Sequence, residues 1–230
     1  MVGNGPGVDT IAIQTLCTET GIDPFKVNIS VASNAGLPTG MTTSSRATAL
    51  VGNAIIDGAA KLNNDLKEKP LSELVGKTYT GNYLCDWTTK PGDDTDKTIT
   101  HFSYGYATQL VVLSDKGEIE KVIAAHDAGK IMNPALFEGQ IEGAVHMGLG
   151  YALSEDLPMK NGHPISYKIK DLGILKAKDI PQIIVKGLEV KDPVGPYGAK
   201  GVGEIGLVPT AAAVANAFTN SIKKEGINYP

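Results

Sequence analysis

The chain has 230 residues, of which 42% are hydrophobic and 20% charged, an ordinary balance for a globular protein and length enough for one large domain or two small ones. Its net charge of −4 is not the footprint of a nucleic-acid binder. No apolar run is long enough to span a membrane and no charged-then-apolar leader opens the chain, so neither a membrane span nor secretion is expected.

The two cysteines, Cys17 and Cys85, are far apart and form no CxxC pair. That argues against a disulfide scaffold and fits a reducing, cytoplasmic setting. Asn28-Ile29-Ser30 matches a glycosylation sequon, which without a leader is read as chance. Arg46 is the only arginine among 21 basic residues. Codon bias towards lysine accounts for that; so does a need for planar, bidentate donors at that one place. Met1 to Gly7 gives almost no lead-in before a helical pattern, and we expect a truncated fragment or a split subunit.

In chain order, Asp9 to Thr20 reads as a helix with Ile11, Leu16 and Cys17 on its apolar side and Gly21 as its stop. Lys26 to Ala32 alternates enough for a strand, and Ser33 to Thr43 is turn-rich. Ser44 or Ser45 is expected to cap a long helix to about Lys69, with Leu50, Val51, Ala54, Ile55 and Ala59 on one stripe. Thr78 to Asp86 reads as a strand and Trp87 to Thr100 as an exposed loop. His101 to Ser114 and Glu118 to His126 flank Asp115-Lys116-Gly117, a hairpin signal. Within it, Leu110 to Leu113 predicts a strand buried on both faces. Pro134 to Ser154 is helical, with Gly139, Gly143, Ala144 and Gly148 making a face suited to close backbone packing. Ile183 to Val190 is a further strand. Strands and helices mix without strict alternation, which predicts an α+β fold without internal repeats.

The stretch of greatest chemical interest is Gly198-Ala199-Lys200-Gly201-Val202-Gly203-Glu204-Ile205-Gly206. It reads as a glycine-rich loop leading to a helix start near Pro209, with Glu204 just before the helix. Glycines allow close approach to a ligand; a lone acid there is equally read as a helix-start or surface charge. Gly5 to Thr10 is another glycine-rich helix entry, but it lacks the strand and third glycine of a dinucleotide fingerprint. Gly76-Lys77-Thr78 lacks the first glycine of a P-loop. His101, His126, His146 and His163 fall at no metal-ligand spacing and read as structural. No protein-ligated metal site is expected. No GxSxG elbow exists either.

Gly198 to Glu204 resembles the signature near the C-terminus of the molybdenum hydroxylases, the xanthine dehydrogenase and aldehyde oxidase family. Other blocks follow in that family's order. Gly5 to Thr10 is similar to its GQGxxT loop, with Pro6 in place of glutamine. Thr42 to Thr48, followed by Gly52-Asn53-Ala54, is similar to its TxxSRxTxxxGNA segment. Phe102 to Ala107 resembles a strand of the molybdenum domain. Asp127-Ala128-Gly129, Asn133-Pro134 and Glu138 to Gly143 are similar to its DxGxxxNPxxxxGQxEG run. Among members, bacterial xanthine dehydrogenase-like proteins are most similar, selenium-dependent ones included.

The resemblance implies that residues 1–230 are the C-terminal portion of a molybdopterin-binding catalytic domain. It implies a molybdenum-dependent oxidoreductase that hydroxylates a purine-like heterocycle or an aldehyde, with water supplying the oxygen. Glu204 would be the catalytic base. Gly5, Gly7, Thr42, Ser45, Arg46, Ala47, Gln140 and Gly203 would contact the molybdopterin, present alone or as its cytosine dinucleotide. Such a cofactor carries its own metal ligands, which agrees with a chain offering glycine loops, hydroxyls and one carboxylate. Partners implied are the N-terminal half of the molybdenum subunit and the domains or subunits bearing iron–sulfur clusters and FAD, in an oligomer. The isolated chain would be inactive and cofactor-free. The competing reading is a scaffold or binding domain that keeps the fold without the chemistry.

Overall fold

The computed structural model describes residues 7–32, 36, 42–101 and 103–224. Gly5, Pro6, Phe102 and most of the turn-rich segment from Ser33 lie outside them. The chain forms two compact units. The first is Met1–Tyr104 with Ala128–Leu136 and Glu189–Gly201; the second is Gly105–Asp127 with Phe137–Leu188 and Val202–Pro230.

The first unit is built on two helices. α1 (Val8–Thr20) is entered through Gly7 at φ 72° and closed by Gly21 at φ 70°, a left-handed stop natural to glycine. Its buried residues are Val8, Ile11, Ala12 and Thr15 rather than the expected Leu16 and Cys17. Thr15 satisfies its hydroxyl on the Ile11 carbonyl at 2.8 Å, so a polar side chain fits a buried position. α2 (Ala47–Leu66) packs on α1 and buries Ala47, Ala49, Gly52 and Ala59. Of the expected stripe Ala59 is buried, while Leu50, Val51, Ala54 and Ile55 are only half-buried, because small side chains, not large ones, let the neighbouring chain come close.

Two expected strands are absent. Residues 24–26 form a 3₁₀ turn capped by Asp23, whose carboxylate accepts from the Phe25 N–H at 2.9 Å. The chain beyond it finds no ladder partner among the described residues. Residues 78–86 are extended but pair with helix side chains in place of a strand. Lys61 Nζ donates to the Thr80 carbonyl at 2.7 Å, the Asn82 N–H donates to Asp57 at 2.9 Å, and the Tyr79 hydroxyl donates to Asp65 at 2.6 Å. A Cβ on Gly81 would lie 1.9 Å from the Ala54 carbonyl oxygen, so this crossing over α2 requires glycine.

The second unit carries a three-stranded sheet of order β1-β2-β5. β1 (Ala107–Leu113) and β2 (Ile119–Asp127) form the expected hairpin, with Gly117 at φ 77° in its turn. β2 is central; Val122, Ala124 and His126 are fully buried on one face. β1 is an edge strand with Leu110 57% exposed, so the block Leu110–Leu113 is not buried on both faces. The antiparallel pairing leaves one side of that edge open. α3 (Pro134–Leu153) follows, started by Asn133, whose side-chain oxygen accepts from the Leu136 N–H at 3.1 Å. A small hairpin, β3 (Met159–Lys160) with β4 (His163–Pro164), precedes β5 (Gln182–Leu188), which runs parallel to β2. α4 (Thr210–Lys224) packs on β1. Pro209 stands one residue before α4, and its carbonyl accepts from the Ala213 N–H at 3.0 Å. The mixture is α+β, as the pattern predicts.

The small residues of α3 divide between two environments. A Cβ on Gly148 would meet Thr210 Cβ at 2.5 Å, whereas one on Gly139 or Gly143 would meet nothing within 4 Å. Gly148→Ala is therefore expected to destabilise by about 1–3 kcal/mol through overpacking. Gly143→Ala is expected to be neutral or to stabilise by up to about 1 kcal/mol through helix propensity. Urea unfolding of the two variants checks this; equal effects would contradict the packing described.

Candidate functional site

The candidate residues fall in two clusters, one in each unit. In the first unit, α2 begins in an unusual way. Ser44 and Ser45 both adopt left-handed conformations, at φ 55° and 50°, which serine rarely accepts without a local reason. Neither caps the helix: Arg46 occupies the N-cap position and its side chain makes no cap bond. Helix-start N–H groups have no intrahelical acceptor, so this turn presents backbone donors and hydroxyls together.

Against that turn lies the first half of the glycine-rich loop. A Cβ on Gly201 would fall 1.4 Å from the Ser45 carbonyl oxygen, and one on Gly52 would meet Pro196 Cγ at 2.6 Å. Asn53 Nδ2 donates to the Val194 carbonyl at 2.9 Å. The stretches Thr42–Ala54 and Val194–Gly201 are thus brought into contact across some 150 positions of sequence. The Ala128–Lys130 stretch joins them. The Lys200 N–H donates to the Ala128 carbonyl at 2.8 Å, and the Lys130 N–H to the Gly198 carbonyl at 3.0 Å.

The organiser of this loop is Asp192, only 8% exposed. Its carboxylate accepts from the N–H groups of Val194 and Gly195 at 2.8 and 2.9 Å and from the Ser103 hydroxyl at 2.7 Å. Tyr197, at φ 57°, is held in that conformation by donating its hydroxyl to Glu19 at 2.6 Å. Burial, then the Glu19 carboxylate, pushes the Tyr197 hydroxyl well above the ordinary tyrosine range. No pattern in the sequence marks Tyr197. Asp192 carried a legible signal: an acid two and three residues ahead of the N–H groups it turns on is an Asx-turn pattern.

Gly7 has a packing role of its own. At φ 72°, its added Cβ would lie 2.5 Å from a Leu136 methyl. Thr42 and Arg46 are half-buried, and Ala47 is buried at the start of α2.

In the second unit, Gln140 on α3 donates to the Gly203 carbonyl at 3.1 Å. Three positions on, the Gly206 carbonyl accepts from Gln109 Nε2 at 2.7 Å and from the Thr210 hydroxyl at 3.2 Å. Glu204 lies between these fixed points and is exposed. It stands in a run of turns six positions ahead of α4, not at the helix start that the sequence predicts. Beneath Gly206, Gln109 Nε2 also faces His126 Nε2 at 3.4 Å. The sequence missed Gln109 altogether.

Among the described residues no group of three or more His, Cys, Asp or Glu could hold a metal ion. A cavity of about 410 Å³ in the first unit, walled by apolar residues of α1 and α2, is lined by none of the candidate residues. The chemistry on offer is therefore backbone N–H and C=O groups, hydroxyls, and one exposed carboxylate on a braced loop.

The molybdopterin cofactor-binding domain family matches residues 1–74 and, in a second segment, 68–181. The chain belongs to this family. Its relatives are molybdenum hydroxylases. It is 28% identical, over a 257-residue alignment, to the 6-hydroxypseudooxynicotine dehydrogenase complex subunit gamma of Paenarthrobacter nicotinovorans, covering 95% of this chain and 32% of that one. It is 36% identical over 104 residues to the xanthine dehydrogenase molybdenum-binding subunit of Escherichia coli O157:H7, covering 44% and 14%. The aldehyde oxidoreductase of Desulfovibrio desulfuricans ATCC 27774 superposes with a TM-score of 0.73 at 28% identity, over 94% of this chain and 25% of that one. Quinoline 2-oxidoreductase from Pseudomonas putida 86 shares the fold, with a TM-score of 0.76 at 22% identity, over 100% and 34%. The chain thus spans about a third or less of the length of these relatives. No helix among the described residues is long and apolar enough to cross a membrane.

His126 yields a prediction on stability. Burial lowers its pKa below the ordinary 6.5. As pH falls below that value, the unfolded chain takes up a proton that the folded chain refuses, so stability declines with acidification. Above it both forms are neutral and the effect vanishes. Denaturant midpoints measured between neutral and mildly acidic pH are expected to show this slope, and His126→Leu is expected to reduce it. A slope unchanged in the variant would contradict the assignment.

Proposed function

We propose that this chain is the C-terminal portion of the molybdopterin-binding subunit of a xanthine dehydrogenase-like enzyme. Its substrate would be a purine-like heterocycle or an aldehyde, hydroxylated at carbon with oxygen from water. The observation that carries the reading is the loop Gly198–Gly206. Its backbone is fixed through glycine contacts and amide bonds at Gly201, Gly203 and Gly206, while its one carboxylate stays exposed. The relatives, which include a xanthine dehydrogenase subunit and an aldehyde oxidoreductase, support the substrate class.

The residues present fit a molybdopterin. The group brings its own sulfur ligands, so no protein metal cluster is required, and the first cluster offers backbone donors and serine hydroxyls where any side chain on Gly201 would intrude. Ser45, Ala47 and the Arg46 guanidinium would hold the pterin and its phosphate, as a cytosine dinucleotide or without one. By the family resemblance, Gly5, Gly7, Thr42, Gln140 and Gly203 would also contact the cofactor. When bound, the molybdenum supplies the electron-accepting centre of the hydroxylation.

Glu204 is assigned as the general base. A base must be ionised and within hydrogen-bond reach of the proton it removes. An exposed carboxylate on a loop braced at Gly203 and Gly206 can be oriented for that contact. It would accept a proton on its carboxylate as the substrate carbon gains oxygen.

The remainder of the molybdenum subunit and iron–sulfur and FAD-bearing partners would complete the enzyme in the cytoplasm. In the second unit Tyr151, Leu157, Ile165, Tyr167 and Ile169 are each more than half exposed, large apolar side chains that such a partner would cover. The chain purified alone is accordingly expected to self-associate and to carry no molybdenum or flavin. Stoichiometric molybdenum by elemental analysis, or a strict monomer in light scattering, would contradict this.

Two substitutions in the complete enzyme separate chemistry from cofactor holding. Glu204→Gln is nearly isosteric and is expected to cut turnover per bound molybdenum by about 10²–10⁴, with metal content near normal. Arg46→Lys loses the planar fork and is expected to lower molybdenum content, with activity per molybdenum retained. Full activity per molybdenum in Glu204→Gln would remove the base assignment.

A further inference from the structure

One buried polar pair in the second unit has no part in the function proposed above. Gln109 of β1 and His126 of β2 share the covered face of the hairpin. In the register, Ala107 pairs with His126 and Gln109 with Ala124, so each large polar side chain stands opposite an alanine. Gln109 and His126 are then diagonal neighbours, within mutual reach across the ladder. His126 is 0% exposed. Burial on this scale normally demands full hydrogen bonding, yet Gln109 Oε1 and His126 Nδ1 have no partner among the described residues. An apolar pair of similar size would be the more stable choice for this face, so the polar pair has to be explained by what it does.

What it does is bind the loop. Gln109 Nε2 has two protons. One goes to the Gly206 carbonyl at 2.7 Å and the other points at His126 Nε2 at 3.4 Å. A neutral ring accepting at Nε2 fixes which end of the Gln109 amide faces the loop; a proton on that nitrogen would oppose the donor and favour the flipped amide, whose oxygen would repel the Gly206 carbonyl. Gly206 is also held from below, since a Cβ there would lie 2.6 Å from Ala144 Cβ. With Gln140 on the Gly203 carbonyl, the two amides grip the backbone on either side of Glu204.

We propose that Gln109 is a positioning residue for Glu204, and that His126 acts through it by holding the Gln109 amide in its donating orientation. The inference rests on the reading of Glu204 as the base. It predicts that loop order and turnover fail together when the donor is removed, whatever happens to overall stability.

The test uses the complete enzyme and two variants. Gln109→Met keeps length and volume but removes the donor. Gln109→Met/His126→Leu removes the remaining buried polar group as well, and so keeps the question answerable where the single variant folds poorly. Hydrogen exchange of the peptide spanning Gly203 to Thr210 is read together with kcat, KM and molybdenum content. Both variants are expected to exchange this segment about tenfold faster or more while β2 stays protected. Their kcat is expected to fall about 10²-fold, the scale of a small misplacement of a reacting group, with KM and molybdenum within twofold of the parent. The double variant is expected to recover thermal stability without recovering kcat. Unchanged exchange in both variants overturns the proposal, as does a double variant whose kcat recovers with its stability, which would make the pair purely structural. The exchange measurement does not depend on turnover. Full activity in Glu204→Gln with faster exchange in Gln109→Met would therefore overturn the base assignment and keep the clamp.

Discussion

Close approach at glycine, where a neighbour sits in the space of an absent side chain, governs how this structure packs. Gly201 presses on the Ser45 carbonyl, Gly52 on Pro196, Gly81 on Ala54, and Gly148 on Thr210. In each case a single methyl group would collide. Interiors packed to this density transmit small displacements rather than absorb them. A cofactor held by N–H groups and hydroxyls needs such a scaffold, because backbone donors cannot be re-aimed by a rotamer change.

The same constraint explains how little ordinary catalytic apparatus the chain displays. A molybdopterin brings its metal, metal ligands and redox chemistry with it. What remains for the protein is placement. In the function proposed above, that work falls to loop segments whose backbone is held by Asp192 on one side and by Gln140 and Gln109 on the other. Under the proposed reading, Glu204 alone takes part in bond making, and its usefulness derives from neighbours that carry no charge.

Much of this was legible in the sequence, and the misses have physical causes. The helices at Val8–Thr20 and Pro134–Leu153 and the hairpin at Ala107–Asp127 follow from apolar periodicity and turn residues. The order of glycine and serine motifs pointed to the family before any contact was visible. The buried stripe of α2 was misplaced because it consists of Ala and Gly, which carry little hydropathy signal. Residues 78–86 alternate as a strand does, but their partners are Lys61, Asp57 and Asp65 on a helix, and strand propensity reflects fit to a surface rather than the identity of that surface. The pairing of Gln109 with His126 was not legible for a different reason. Their meaning lies in a diagonal across a ladder, and no local pattern marks it.

Under the proposed reading, the loop gripped by Gln140 and Gln109 carries the base of the reaction, Glu204. A crystal structure of the complete, molybdenum-loaded enzyme tests this most directly. The expected result is a Glu204 carboxylate close to the molybdenum, with Gln140 and Gln109 donating to the Gly203 and Gly206 carbonyls. A well-ordered Glu204 remote from the metal would contradict it.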